Sequence, residues 1–374
     1  MLAIVAAAHQ LIPVVTGART LPAWVALVLA APIALGFGLL VASFNGADIF
    51  APAAVALAIG IGLWSIVMLA RLLLGPREVR LRIVLALAVL ALGSALAIGA
   101  GMALAFDGVA AGGWLRLAPV HALLALGGFA STVIVAVSYR LVPMFALSHT
   151  SNSSARFLPA LVLAPLFALA ACGWLAWLWL LRIALVAVLL VFVTFIAIQA
   201  HTVHHRIRRQ LDVSLRYAIV SWWFAMLAVV ATLMATFAPP FAAVAVILAV
   251  LGWITPSILG YAYKIVGFLA WQHARDCFPG AQLPPLSGAV DLRLAGLALA
   301  ALLTGTLGSA VAALGPTLLD IPEALYFAGV IGALFVLARI VTRYWRSSWN
   351  KESSTAADSI HPNRWSASLP NSRT

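Results

Sequence analysis

Three stretches of the chain are variants of one phrase. Ile4-Val5-Ala6-Ala7-Ala8-His9-Gln10-Leu11-Ile12-Pro13 returns as Ile134-Val135-Ala136-Val137-Ser138-Tyr139-Arg140-Leu141-Val142-Pro143. It returns again as Ile258-Leu259-Gly260-Tyr261-Ala262-Tyr263-Lys264-Ile265-Val266-Gly267. The offsets, 130 and 124 residues, are the length of about four membrane-crossing helices with their loops. This predicts three copies of a four-helix unit, with the phrase on the second helix of each. One helix of the first unit and the start of another are then missing at the front, either lost from the gene or translated from upstream of Met1.

Composition decides the solvent. With 64% hydrophobic and 9% charged residues and a mean hydropathy of +1.10, the chain has too little polar surface to cover itself in water. In lipid, backbone groups must be satisfied internally, which leaves helices or a closed barrel. Apolar runs of about 20 residues select helices, because barrel strands would alternate. The expected fold is an all-α polytopic membrane bundle in three pseudo-repeated four-helix arcs. Eleven spans are predicted at 1–16, 21–44, 51–74, 81–105, 116–146, 157–173, 177–203, 214–237, 241–269, 290–314 and 323–345. A transmembrane domain over 1–349 is followed by a polar tail, 350–374, expected to be disordered and cytoplasmic.

The net charge of +12 reports topology rather than nucleic-acid binding. On these spans, 20 of the 22 Lys and Arg residues fall on one face, leaving Arg116 and Arg182 on the other. By the positive-inside rule the basic face is cytoplasmic and the C-terminus lies inside; the expected location is a bacterial inner membrane. The opening apolar run lacks a basic n-region, so a cleaved signal peptide is not expected. Trp174, Trp177 and Trp179, with Trp222, Trp223, Trp345 and Trp349 toward the inner side, read as interfacial belts. Cys172 and Cys277 form no CxxC pair and read as inert thiols.

His121 opens the fifth span and precedes Gly127-Gly128 and Tyr139-Arg140-Leu141-Val142-Pro143. With Tyr263 through His273 and the threefold phrase, this pattern resembles subunit I of the haem-copper oxidase superfamily and the related nitrosative-stress membrane proteins of the NnrS family. The resemblance implies twelve helices in three arcs, and haem or copper bound by histidines. In that superfamily haem is held from the second helices of arcs one and three, and copper from the second and third helices of arc two. Carried over residue by residue, only His121 has a match here. Its counterpart in the third unit is Ala245, and the sixth and ninth spans contain no histidine. The resemblance therefore implies the scaffold without an active oxygen reductase, and a link to respiration or to nitric oxide and oxygen stress through a membrane redox partner.

His121, His9, Tyr139 and Tyr263 are the candidate cofactor-binding residues. The alternative readings are an interfacial histidine for His121 and a ring bonded to a neighbouring helix for His9. His201, His204 and His205 share one helix face at the end of the seventh span. With His149 and His273 they make a second candidate metal or haem site, although His- and Arg-rich helix ends also anchor to headgroups. No catalytic residue is assigned. No Asp or Glu lies deep in a span, which argues against a pump or an ion-coupled carrier. The absence of a phosphate loop, nucleophile elbow or HExxH motif removes support for soluble-type hydrolases and nucleotide enzymes. A cofactor-free channel or transporter, or a structural subunit of a membrane complex, stands as the alternative.

Overall fold

A computed structural model describes residues 5–9, 12–13, 17, 21–76, 78–148, 178–207, 210–277, 283–285, 290–315 and 320–359, with side chains through Trp345. The described residues form helices and no strand. Nine helices among them are long and apolar enough to cross a membrane. They are α1 (Ala23–Phe44), α2 (Phe50–Leu74), α3 (Val79–Phe106), α4 (Gly112–Ala146), α5 (Leu178–His204), α6 (Val213–Ala235), α7 (Phe241–Cys277), α8 (Leu292–Ala312) and α9 (Asp320–Ser359). The chain is thus a polytopic helical membrane bundle. Large apolar side chains face outward along it, Leu74 at 84% and Leu27 at 70% exposure, as expected where lipid replaces water.

These helices correspond to nine of the predicted spans. The predicted sixth span with Cys172, and all but a few helical residues of the first, lie outside the described residues. α7 runs eight residues past its predicted end, to Cys277, because no Pro or Gly interrupts Phe268 to Cys277. α9 continues to Ser359, ten residues into the stretch read as tail. Its extension Lys351-Glu352 through Ala356-Ala357 contains good helix formers and no proline. The rest of that tail lies outside the described residues. Trp222 is a correction to the belt reading: it is buried in the bundle, whereas Trp223 faces out.

α3 lies along α4 and α6 along α7, while α4 also packs on α5 and α7 on α9. The two composite helices share unusual features. α4 widens to a π-helix over Leu123–Ser131 and α7 over Leu248–Ile254. Ser131 donates to the Leu126 carbonyl, and Thr255, 124 residues on, donates to the Val250 carbonyl. Each hydroxyl meets a carbonyl five residues back, where the wider turn disturbs the ordinary ladder. Gly128 and Gly252 occupy equivalent places at the close contacts with α3 and α6. A Cβ on Gly128 would come within 2.8 Å of the Ala91 methyl, and one on Gly252 within 2.2 Å of the Phe224 ring.

The cations of the repeated phrase behave alike. Arg140 pairs with Glu78 at the head of α3, and Lys264 pairs with Asp212 at the head of α6. Asp212 also caps α6 by accepting from the Ser214 N–H at 3.1 Å. In both cases the second helix of a predicted unit is tied to the first.

Candidate functional site

A cavity of about 830 Å³ lies between α4, α5, α6 and α7. It lies toward the end of the bundle opposite Arg140, Lys264 and the histidines of α5, since its walls come from the beginnings of α4, α5 and α7 and the end of α6. Its walls are alanine and branched aliphatics, with Phe192, Phe195 and Trp253 toward the inner end. The hydroxyls of Ser131, Thr132, Thr232 and Thr236 supply most of its side-chain polarity. Ser131 and Thr132 bond to carbonyls of their own helix, at 2.7 and 3.1 Å. Ser131 also accepts from the Trp253 indole N–H at 2.9 Å, which bridges α4 to α7. At the outer rim Arg182 donates to the Thr236 hydroxyl and carbonyl and lies 3.9 Å over the Phe237 ring.

The sequence-predicted residues are spread around this cavity rather than gathered in it. His121 opens α4 on the side facing α3. Its Nδ1 lies 2.8 Å from the Ala95 carbonyl oxygen, and its ring lies against Gly99. A carbonyl only accepts, so Nδ1 is the donor of this bond and Nε2 takes no part in it. Ala245, the counterpart of His121, lines the cavity. His9 is half-buried, and its Nε2 has no hydrogen-bond partner among the described residues.

Tyr139 packs on Phe195 of α5 with ring centroids 5.8 Å apart. Tyr263 instead meets Tyr217 of α6 edge-on at 5.2 Å, and Tyr217 donates to the Ala295 carbonyl of α8. The two tyrosines therefore serve different helix contacts.

His201, His204 and His205 end α5 on its exposed surface, with ring centroids 4.2 Å apart for His201 and His205 and 5.3 Å for His204 and His205. His273 stacks on Trp345, with Cys277 Sγ 3.6 Å from its Nε2. His149 lies outside the described residues. Among the described residues, no group of three or more His, Cys, Asp or Glu is placed to hold a metal ion.

The described cavity lining does not fit a ligated haem or copper. It contains no imidazole, thiol, thioether or carboxylate, and the methyl of Ala245 cannot coordinate iron. The residue missed by sequence reasoning is Gln199, buried on α5 with both amide atoms lacking a hydrogen-bond partner among the described residues. An amide alone in the run Val193 to Ala200 was the available signal.

No family model matches the chain, and no curated protein matches it. The class defined by fold and site is a multi-pass helical membrane protein with an apolar intramembrane cavity.

Proposed function

We propose that the chain is a bacterial inner-membrane protein on an oxidase-like scaffold of three four-helix arcs, with its basic face in the cytoplasm, and that its cavity receives an uncharged apolar molecule from the bilayer. The observation that carries this reading is the hydrocarbon-lined cavity between α4 and α7, the second helices of two predicted units. The arc arrangement draws support from the matched π-helices, glycines and ion pairs at equivalent positions of those helices. A volume of about 830 Å³ is within the usual range of small-molecule sites, which runs to about 1,000 Å³. With no charged side chain in the described lining, burying an anionic or cationic guest would be costly.

The test is to purify the protein in lipid nanodiscs, extract it and identify enriched neutral molecules by mass spectrometry. Wild-type protein is expected to carry such a molecule, and Ala245→Phe, which fills the cavity wall, to lose it. Equal extracts from wild type, Ala245→Phe and empty nanodiscs would contradict the reading.

A second reading, haem or copper held by His121, rests on one observation. The Nδ1–H bond to the Ala95 carbonyl leaves Nε2 as the ring nitrogen that could face a metal, the arrangement in which carbonyls orient ligating histidines. It would place the protein in respiration or in nitric oxide or oxygen stress. A Soret band or bound copper that disappears in His121→Ala supports it; neither signal in wild type removes it.

A further inference from the structure

We propose that His201 and His205, at the end of α5 past Phe195 of the cavity wall, chelate one divalent transition cation of the class of Zn²⁺, Ni²⁺ or Cu²⁺. The site is independent of the cavity reading above. A helix places side chains four residues apart one above the other on a single face. Here the two rings do meet, with centroids 4.2 Å apart and planes tilted by 47°. A zinc–imidazole bond is about 2.0–2.1 Å long, so each ring centroid lies about 3.2 Å from a bound ion. Two imidazoles at about 90–110° on one ion then have centroids about 4.5–5.2 Å apart. The observed pair is slightly closer than that, and small side-chain rotations make up the difference.

His205 is also oriented as ligating histidines are. Its Nδ1 lies 2.9 Å from the His201 carbonyl oxygen. A carbonyl only accepts, so Nδ1 is the donor of this bond, and Nε2 is the ring nitrogen left to face an ion. Arg206, the adjacent cation, is turned back on its own helix and donates Nη1 to the Val203 carbonyl at 3.1 Å.

Among the described residues no three His, Cys, Asp or Glu are placed to hold one ion, and His204 meets His205 edge-on, at 5.3 Å and 78°. Two nitrogens therefore carry the site. Both residues are exposed, so water fills the remaining coordination positions. Nitrogen donors select transition cations over Mg²⁺ and Ca²⁺, which take oxygen. Where the helical H-E-x-x-H motif of metalloproteases has its glutamate base, this chain has Thr202, whose hydroxyl donates to the Ile198 carbonyl at 3.0 Å. The pair fits cation binding rather than hydrolysis.

The experiment uses the full chain, purified without a polyhistidine tag, in nanodiscs of a neutral lipid, and titrates it with Cu²⁺. Electron paramagnetic resonance reports the nitrogens on the bound ion. In wild type the tightest site is expected to hold one Cu²⁺ on two imidazole nitrogens. Zn²⁺ should bind there more weakly, and excess Mg²⁺ should not displace Cu²⁺. His201→Ala and His205→Ala should each weaken binding about tenfold or more, since losing even a supporting partner of a ligand costs about 10–100-fold. His204→Ala and His273→Ala should leave it unchanged. Added Cu²⁺ should raise the unfolding midpoint of wild type but not of His205→Ala. The rings are exposed and alanine is the better helix former, so the variants should fold, which tryptophan fluorescence without Cu²⁺ checks.

No two-nitrogen signal in wild type, or one affinity shared by wild type, His201→Ala and His205→Ala, would overturn the proposal. A loss in His273→Ala equal to that in His205→Ala would put the ion elsewhere and overturn it too. So would a three-nitrogen signal that disappears in His204→Ala, because a different ligand set would then hold the ion.

Discussion

Adding one methyl group at Gly128 probes the close helix contacts directly. An alanine Cβ there would sit 2.8 Å from the Ala91 methyl of α3, whereas ordinary contact begins near 3.4 Å. Ala91 has no rotamer with which to move aside, so α3 and α4 must separate by roughly half an ångström or more, and a gap of that size forfeits about a quarter of each dispersion contact. Overpacking of this kind costs about 1–3 kcal/mol, while replacing Gly by Ala inside a helix gains about 1 kcal/mol. Gly62 on α2 is the control, since a Cβ there meets nothing within 4 Å and only the propensity gain applies. Gly128→Ala should therefore be about 1–3 kcal/mol less stable than Gly62→Ala. Gly252→Ala, with the Phe224 ring 2.2 Å away, should behave like Gly128→Ala. Reversible unfolding in mixed micelles, followed by tryptophan fluorescence, reads the difference. If all three variants unfold at the same denaturant fraction, the glycines do not set these contacts.

Further outcomes follow from single contacts. Ser131→Ala deletes the acceptor of the Trp253 N–H and a donor to Leu126, and should destabilise by about 1–3 kcal/mol in the same unfolding assay. Thr255→Val loses the bond to Val250 and the contact with the Tyr326 hydroxyl and should cost about 1–3 kcal/mol. Asp212→Ala removes both the α6 cap and the partner of Lys264 and should cost about 1–2 kcal/mol, whereas Glu78→Ala, whose ion pair is half exposed, should cost less than about 1 kcal/mol. A green fluorescent protein fused after Thr374 should fluoresce in bacterial cells if the basic face is cytoplasmic; a dark fusion beside an active C-terminal alkaline phosphatase fusion would reverse the orientation.

The membrane helices were legible because each carries its own signal, an apolar run of spanning length. Their ends were harder to read. Apolar runs report depth in lipid, while helices stop at backbone breakers, so α7 continues through Trp271, Gln272 and His273 to Cys277. The repeated phrase did mark two helices with shared features: the cation at 140 or 264 and the hydroxyl at 131 or 255 sit in matching local structures. Which way a ring points was not legible. Both helices are apolar nearly all round, so no sequence pattern showed that His121 faces Ala95 and Gly99 or that Ala245 faces the cavity. Gln199 was overlooked because an uncharged amide leaves the hydropathy of α5 almost unchanged, while its meaning depends on the partners that the fold withholds.

A cryo-electron microscopy map of the purified protein in lipid nanodiscs tests the account most directly. It is expected to contain elongated density, not assignable to the chain, between Ser131, Thr232 and Trp253. A map in which α4, α5, α6 and α7 close on one another, with the protein's own side chains filling the space beside Ala228 and Ala245, would contradict it.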